Sequence, residues 1–333
     1  MLPLPLFLFY GGTAARFAAL IILTLLGLTD YLDGLMARKD GVTTLGKLLD
    51  PIADKIFIAV TLVPLADLNI LPMWIVWPIF LREFLVTEMR RFMPPDTKGL
   101  RVTELAKLKT TIQMVGVGLI LLTDTFPDRL ITISFLSGLF LATIFLGITI
   151  YFKTGLMSSR LKSAIVFEVV GLLTAVIFPA PKVNLIYGVI VLGITLVSGL
   201  QYVRACLPHV IQAGKEAFFH LAWSIVLPLL VLGLLPAAPS STHLLVVLIL
   251  AIEFAAQGID MWAVQENKVD ISDIKKQYMV PGLILAPVLI ISLGVRMTDV
   301  ISWFLILTSA ASLAYLATDI RLHRELFSRG EFF

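Results

Sequence analysis

An all-α, polytopic transmembrane helical bundle is the fold this sequence predicts, on three observations. The 333 residues are 58% hydrophobic and only 15% charged, with a mean hydropathy of +0.95, where soluble domains carry about 25% charged residues. The apolar residues fall in long runs without period-2 alternation, which favours helices over strands. Basic residues collect in every second connection between those runs, as the orientation rule for polytopic membrane proteins requires.

Crossing a bilayer takes about 20 apolar residues as helix, and only helices or closed barrels satisfy the backbone there. Spans are expected near 13–36, 46–66, 72–92, 105–123, 130–152, 163–180, 184–204, 217–236, 243–262, 278–295 and 299–319, with residues 1–11 as the stub of one more. One set of alternate loops holds Arg38 and Lys39, the group from Arg90 to Lys109, then Lys153, Arg160 and Lys162, then Arg204 and Lys215, then Lys268, Lys275 and Lys276, then Arg321 and Arg324. The other set holds only Arg16, Arg129, Lys182 and Arg296. The first set is therefore expected in the cytoplasm, and the protein in the cytoplasmic (inner) membrane.

A net charge of +3 gives no reason to expect nucleic acid as a partner. A single cysteine, Cys206, excludes an internal disulfide and a cysteine-based metal cluster. The four histidines are scattered without metal-ligand spacing, and no basic segment precedes the first apolar run as in a cleavable signal peptide. Glu168, Glu253 and Asp260 lie in or near spans and read best as interhelical hydrogen-bond partners. Asp260, in Gln257-Gly258-Ile259-Asp260, ends a span somewhat as Asp33 does, but no second acidic cluster accompanies it.

The chemistry concentrates in residues 30–55, DYLDGLMARKDGVTTLGKLLDPIADK. Asp30 and Asp33 are three apart towards the end of one expected helix, and Gly34 and Ala37 continue that face. Asp50 and Asp54 are four apart at the start of the next helix, with Gly46 one turn earlier. A short connection makes the two helices antiparallel neighbours, so four carboxylates can converge. Carboxylates near a membrane core are costly and mark functional sites, and four together require cations. Mg²⁺ takes oxygen ligands and sits between carboxylates and substrate phosphates. A pair of such ions can stabilise both the attacking and the leaving oxygen of a displacement at phosphorus. The small residues leave room for a ligand near the backbone, and Arg38 suits a phosphate oxygen.

Asp30, Asp33, Gly34, Ala37, Arg38, Gly46, Asp50 and Asp54 resemble the signature of the CDP-alcohol phosphatidyltransferases, Asp-x2-Asp-Gly-x2-Ala-Arg followed after a spacer by Gly-x3-Asp-x3-Asp. The resemblance implies a six-helix core in which an alcohol attacks the β-phosphate of a CDP-linked lipid and CMP leaves. It implies two Mg²⁺ (or Mn²⁺) ions on Asp30, Asp33, Asp50 and Asp54, Asp54 as general base, a CDP site shaped by Asp30, Gly34, Ala37, Arg38 and Gly46, and a homodimer. Two departures stand out. The spacer from Lys39 to Leu45 has seven residues where the family has eight, and the opening MLPLPLFLFYGG lacks the Asn, Thr and Arg motif of the family's first helix.

REFLVTEMRR at 82–91 and VTELAKLKTTIQM at 102–114 resemble the fourth and fifth helices of the phosphatidylglycerophosphate synthases, although Ala106 stands where that subfamily commonly has glycine. This similarity implies CDP-diacylglycerol and sn-glycerol 3-phosphate as substrates. Arg82, Arg90, Lys107 and Lys109 then become candidates for the acceptor phosphate. The alternatives are another acceptor alcohol (inositol phosphate, serine or phosphatidylglycerol) or a non-catalytic lipid-binding or transport protein. The core is expected over 1–152, or to 206 if Thr195–Tyr202 ends the family's sixth helix and 130–180 is an inserted hairpin. Residues 163–333 otherwise form an additional transmembrane region of unassigned role.

Overall fold

The computed structural model describes residues 1, 3–40, 44–93, 104–154, 159–265 and 297–322, and every regular element among them is helical. The span expected at 278–295 and loop residues 266–277 lie outside the described residues.

The stub is a two-turn helix, α1 (Pro3–Tyr10), followed by α2 (Thr13–Asp40), α3 (Thr44–Asp67), α4 (Met73–Arg91), α5 (Glu104–Thr125) and α6 (Arg129–Thr154). Then come α7 (Ser159–Ile177), α8 (Ala180–Gln212), α9 (Lys215–Leu234), α10 (His243–Gln265) and α11 (Met297–Leu322). Helix α2 runs past the expected end near 36, because Ala37, Arg38 and Lys39 are good helix formers. Asp30 and Asp33 therefore sit within a helix rather than at its tip.

Breaks between helices follow local chemistry. Pro72 (φ −69°, ψ 145°) and Pro179 (φ −69°, ψ 155°) stand immediately before α4 and α8, where a missing N–H and a fixed φ cost nothing. Gly214 takes φ 81° between α8 and α9, a left-handed conformation that glycine adopts without a Cβ clash.

Among the described residues, five stretches are long and apolar enough to cross a membrane: Arg129–Phe152, Ala180–Gln212, Ala217–Ala237, Ser240–Val264 and Ile301–Thr318. Thr13–Gly27 and Ala164–Ile177 are shorter apolar stretches. The chain is thus an integral membrane protein. α3, α4 and α5 are not among them, and they carry the charges described below.

α8 packs along α4 and α5, while α6 and α7 pair with each other. α10 lies against α3, α4 and α11, and α9 against α4. The shared core runs through both halves of the chain, from Leu4 and Leu8 of α1 to Val246 and Phe254 of α10 and Leu305 of α11. Leu4 and Leu8 are fully buried, so α1 is an integral part of the packing. Opposite the motif end, His243 Nδ1 lies 3.0 Å from Asp67 Oδ2, and Tyr10 donates to the Ser240 carbonyl at 2.9 Å. These contacts tie α1 and α3 to the start of α10.

Glu168 accepts from Thr143 at 2.9 Å, Glu253 from Ser312 at 2.9 Å, and Asp260 from Arg91 at 3.0 Å and Tyr315 at 3.1 Å. All three acids thus join neighbouring helices.

Candidate active site

A cavity of about 240 Å³ opens between α3, α4, α5 and α8. Asp50 and Asp54, one turn apart, present the carboxylates of α3 to it, with Lys55 beside them. Two carboxylates at i and i+4 share one helix face, which puts hard oxygen donors of the kind Mg²⁺ prefers along a single wall. The backbone carries Asp30 and Asp33 on α2. The side chains of Asp30, Asp33, Gly34, Ala37, Arg38 and Lys107 lie outside the described residues, so of the four expected metal ligands the structure brings Asp50 and Asp54 to the cavity. Gly46 sits one turn before Asp50 on α3 and is half-buried.

The opposite wall is cationic. Arg82 and Arg90 of α4 and Lys109 of α5 line the cavity, which places three of the four expected phosphate-binding residues around one space. Their burial has a partner. Glu83 accepts from Arg82 Nη1 at 3.0 Å and forms a second ion pair with Lys109. All three side chains are at most 10% exposed. A buried charge without a counter-charge is strongly unfavourable, so Glu83 permits two cations to stand inside the bundle.

α8 supplies the rest of the wall. Ser198 Oγ accepts from Arg82 Nη2 at 3.1 Å. A Cβ on Gly199 would stand 2.5 Å from Arg82 Cγ, so only glycine lets that side chain pass. The Tyr202 ring lies under both guanidinium groups, 4.7 Å from Arg90 Cζ and 5.8 Å from Arg82 Cζ, and such cation–π contacts fix the planes of the cations. Gln113 donates to Thr195 at 3.1 Å and locks α5 to α8 just behind. Arg82 Nε is buried with no hydrogen-bond partner among the described residues, a donor that an anionic ligand would satisfy.

Carboxylates on one side and cations on the other suit a ligand that carries phosphate and meets a divalent ion. Lys55, Glu83 and Tyr202 also line this cavity, and none of them was an expected site residue. Lys55 follows Asp54 directly, and Glu83 is a charge inside a span next to Arg82, a pattern that signals a buried pair. Tyr202 ends the run Thr195–Tyr202 already likened to the end of a helix, but its contact with the arginines, more than a hundred residues earlier, has no local signal.

The sequence profile described as CDP-alcohol phosphatidyltransferase matches residues 1–154. A CDP-diacylglycerol–glycerol-3-phosphate 3-phosphatidyltransferase of Bacillus subtilis (strain 168) is 35% identical over 122 residues, covering 36% of this chain and 63% of that protein. The protein of the same description from Rickettsia typhi is 37% identical over 127 residues, 37% of this chain and 70% of its own length. A cardiolipin synthase (CMP-forming) of Streptomyces coelicolor is 38% identical over 132 residues, 36% of this chain and 60% of its own length. The matched stretch thus spans between about six and seven tenths of these relatives. No solved structure matches the chain.

Proposed function

Because the chain belongs to the CDP-alcohol phosphatidyltransferase family, we propose that it transfers a phosphatidyl group from CDP-diacylglycerol to sn-glycerol 3-phosphate and releases CMP. The observation that carries this reading is the single cavity that holds Asp50 and Asp54 on one side and Arg82, Arg90 and Lys109 on the other. An acceptor that is itself a phosphate ester explains why cations stand opposite the carboxylates.

In this reaction the acceptor hydroxyl oxygen forms a bond to the β-phosphorus, the bond from that phosphorus to the CMP oxygen breaks, and the hydroxyl proton passes to the Asp54 carboxylate. Two Mg²⁺ or Mn²⁺ ions on Asp30, Asp33, Asp50 and Asp54 would neutralise the diphosphate and stabilise the leaving group. The oxygen-only donor set and the facing of Asp50 and Asp54 into the cavity fit such ions. Gly34, Ala37, Arg38 and Gly46 bound the CDP site. Arg82, Arg90 and Lys109, with Lys107 on the same helix as Lys109, hold the acceptor phosphate. Arg82 is fixed from two sides, by Glu83 and Ser198, so it meets the anion with little rotamer freedom left to lose.

The catalytic core, on this reading, extends past the matched region 1–154 to α8. The contacts of Ser198, Gly199 and Tyr202 with the two arginines support that extent. The loop charge asymmetry favours an active site at the cytoplasmic face of the inner membrane.

The test is CMP release by purified protein given CDP-diacylglycerol and, separately, glycerol 3-phosphate, inositol phosphate, serine and phosphatidylglycerol. Release with glycerol 3-phosphate is the expected result. Release only with phosphatidylglycerol would reassign the acceptor. Absence of CMP with every acceptor would remove the enzymatic reading in favour of lipid binding or transport.

A further inference from the structure

α10 stands behind both walls of the cavity. On α4 the residues at 82, 83, 86, 87 and 90 face the cavity, and the stripe at 80, 84 and 91 faces α10. The Phe84 and Phe254 rings stack with centroids 4.0 Å apart and planes 5° apart. Arg91, adjacent in sequence to the cavity residue Arg90, donates to Asp260 at 3.0 Å and lies 2.9 Å from Glu88. Arg91 and Asp260 are at most 2% exposed. Tyr315 of α11 donates to the same Asp260 oxygen.

α3 is divided in the same way. Asp50 and Asp54 face the cavity, whereas Ile52 between them packs with Ile259 and Trp262 of α10. A Cβ on Gly258 would collide with the Ile52 side chain, so the glycine sets how closely α10 approaches the acidic helix. Nothing in the matched region 1–154 contains these α10 residues.

We propose that α10 is a positioning element for the transferase reaction, with Asp260 fixing α4 through Arg91 and Gly258 seating α3 through Ile52. The inference rests on the reaction proposed above. Helices move as rods, so a displacement at the back of α3 or α4 carries the carboxylates or the cations with it. A misplacement of about 1 Å costs catalysis up to roughly a hundredfold. Asp260 and Gly258 touch no substrate; they act through Arg91 and Ile52.

The experiment uses the full chain in lipid nanodiscs, with Asp260→Asn, Gly258→Ala, and Gly258→Ala combined with Ile52→Ala. CMP release is measured per folded, monodisperse molecule, kcat and KM are separated for both substrates, and Mn²⁺ affinity is read by electron paramagnetic resonance. Each single variant is expected to lose roughly tenfold or more in kcat/KM and to bind Mn²⁺ or the acceptor more weakly. The paired size exchange at 258 and 52 is expected to recover most of the loss. Should Asp260→Asn not fold, the Gly258 and Ile52 pair decides the matter alone. Variants with lower thermal midpoints but wild-type kcat/KM and Mn²⁺ affinity would overturn the positioning role, as would a double variant no better than Gly258→Ala. A wild-type chain that neither binds Mn²⁺ nor releases CMP would refute the reaction and the positioning role together.

Discussion

Glu83→Gln removes one negative charge from the centre of the site and leaves its shape intact. In the native wall Glu83, 4% exposed, serves Arg82 at 3.0 Å and Lys109 at once. The four cations Lys55, Arg82, Arg90 and Lys109 are faced there by three carboxylates, Asp50, Asp54 and Glu83. Removing one partner from a buried ion pair costs about 3–5 kcal/mol, which in a chain of this size lowers the thermal midpoint by roughly 4–7 °C. Arg82 and Lys109 would then repel each other and leave the acceptor position, so KM for glycerol 3-phosphate rises. Thermal unfolding in detergent and steady-state CMP release read the two effects. Lys109→Met supplies the control, because the double variant Glu83→Gln/Lys109→Met removes both members of a pair. Its destabilisation is expected to fall short of the sum of the singles by about 1–3 kcal/mol. Additive losses, or a Glu83→Gln protein with native midpoint and native KM, would refute the assignment of Glu83 as the shared counter-charge.

Asp54→Asn is expected to abolish CMP release while the protein remains folded and monodisperse; a fully active variant would refute the general-base role. Gly199→Ala places a Cβ 2.5 Å from Arg82 Cγ and is expected to raise KM for the acceptor roughly tenfold with little change for CDP-diacylglycerol, as steady-state kinetics with each substrate varied would show. Tyr202→Leu removes the ring beneath Arg90. The loss of about 0.5–2 kcal/mol of cation–π attraction weakens acceptor binding roughly two- to thirtyfold, readable by the same assay.

Much of the architecture was legible because a bilayer imposes a simple rule: each crossing needs a long apolar run, and such runs are visible without knowing how they pack. The expected spans from 13–36 to 243–262, and the one at 299–319, each correspond to a helix. The two-turn α1 appears where only a stub could be read. What failed was local extent, as at α2, where helix-forming residues carried the element beyond its apolar stretch. The site was legible where charge is out of place. Four aspartates in two spans, and Arg82 deep in a third, are costly positions that a sequence retains for a reason. The supporting shell was not. Ser198 and Tyr202 approach Arg82 from more than a hundred residues away, and Arg91 and Asp260 are 169 residues apart. Neutral small residues such as Gly199 and Gly258 become informative only when the side chain opposite them is known.

Whether the aspartates of α2 and α3 hold divalent ions against a nucleotide diphosphate is decided by titrating Mn²⁺ into the purified protein with CDP-diacylglycerol and recording the phosphorus hyperfine coupling of the bound ion. Two bound Mn²⁺ ions coupled to substrate phosphorus are expected, with binding lost in Asp50→Asn. Mn²⁺ that remains aqueous, or binds without phosphorus coupling and equally well in Asp50→Asn, would contradict that expectation.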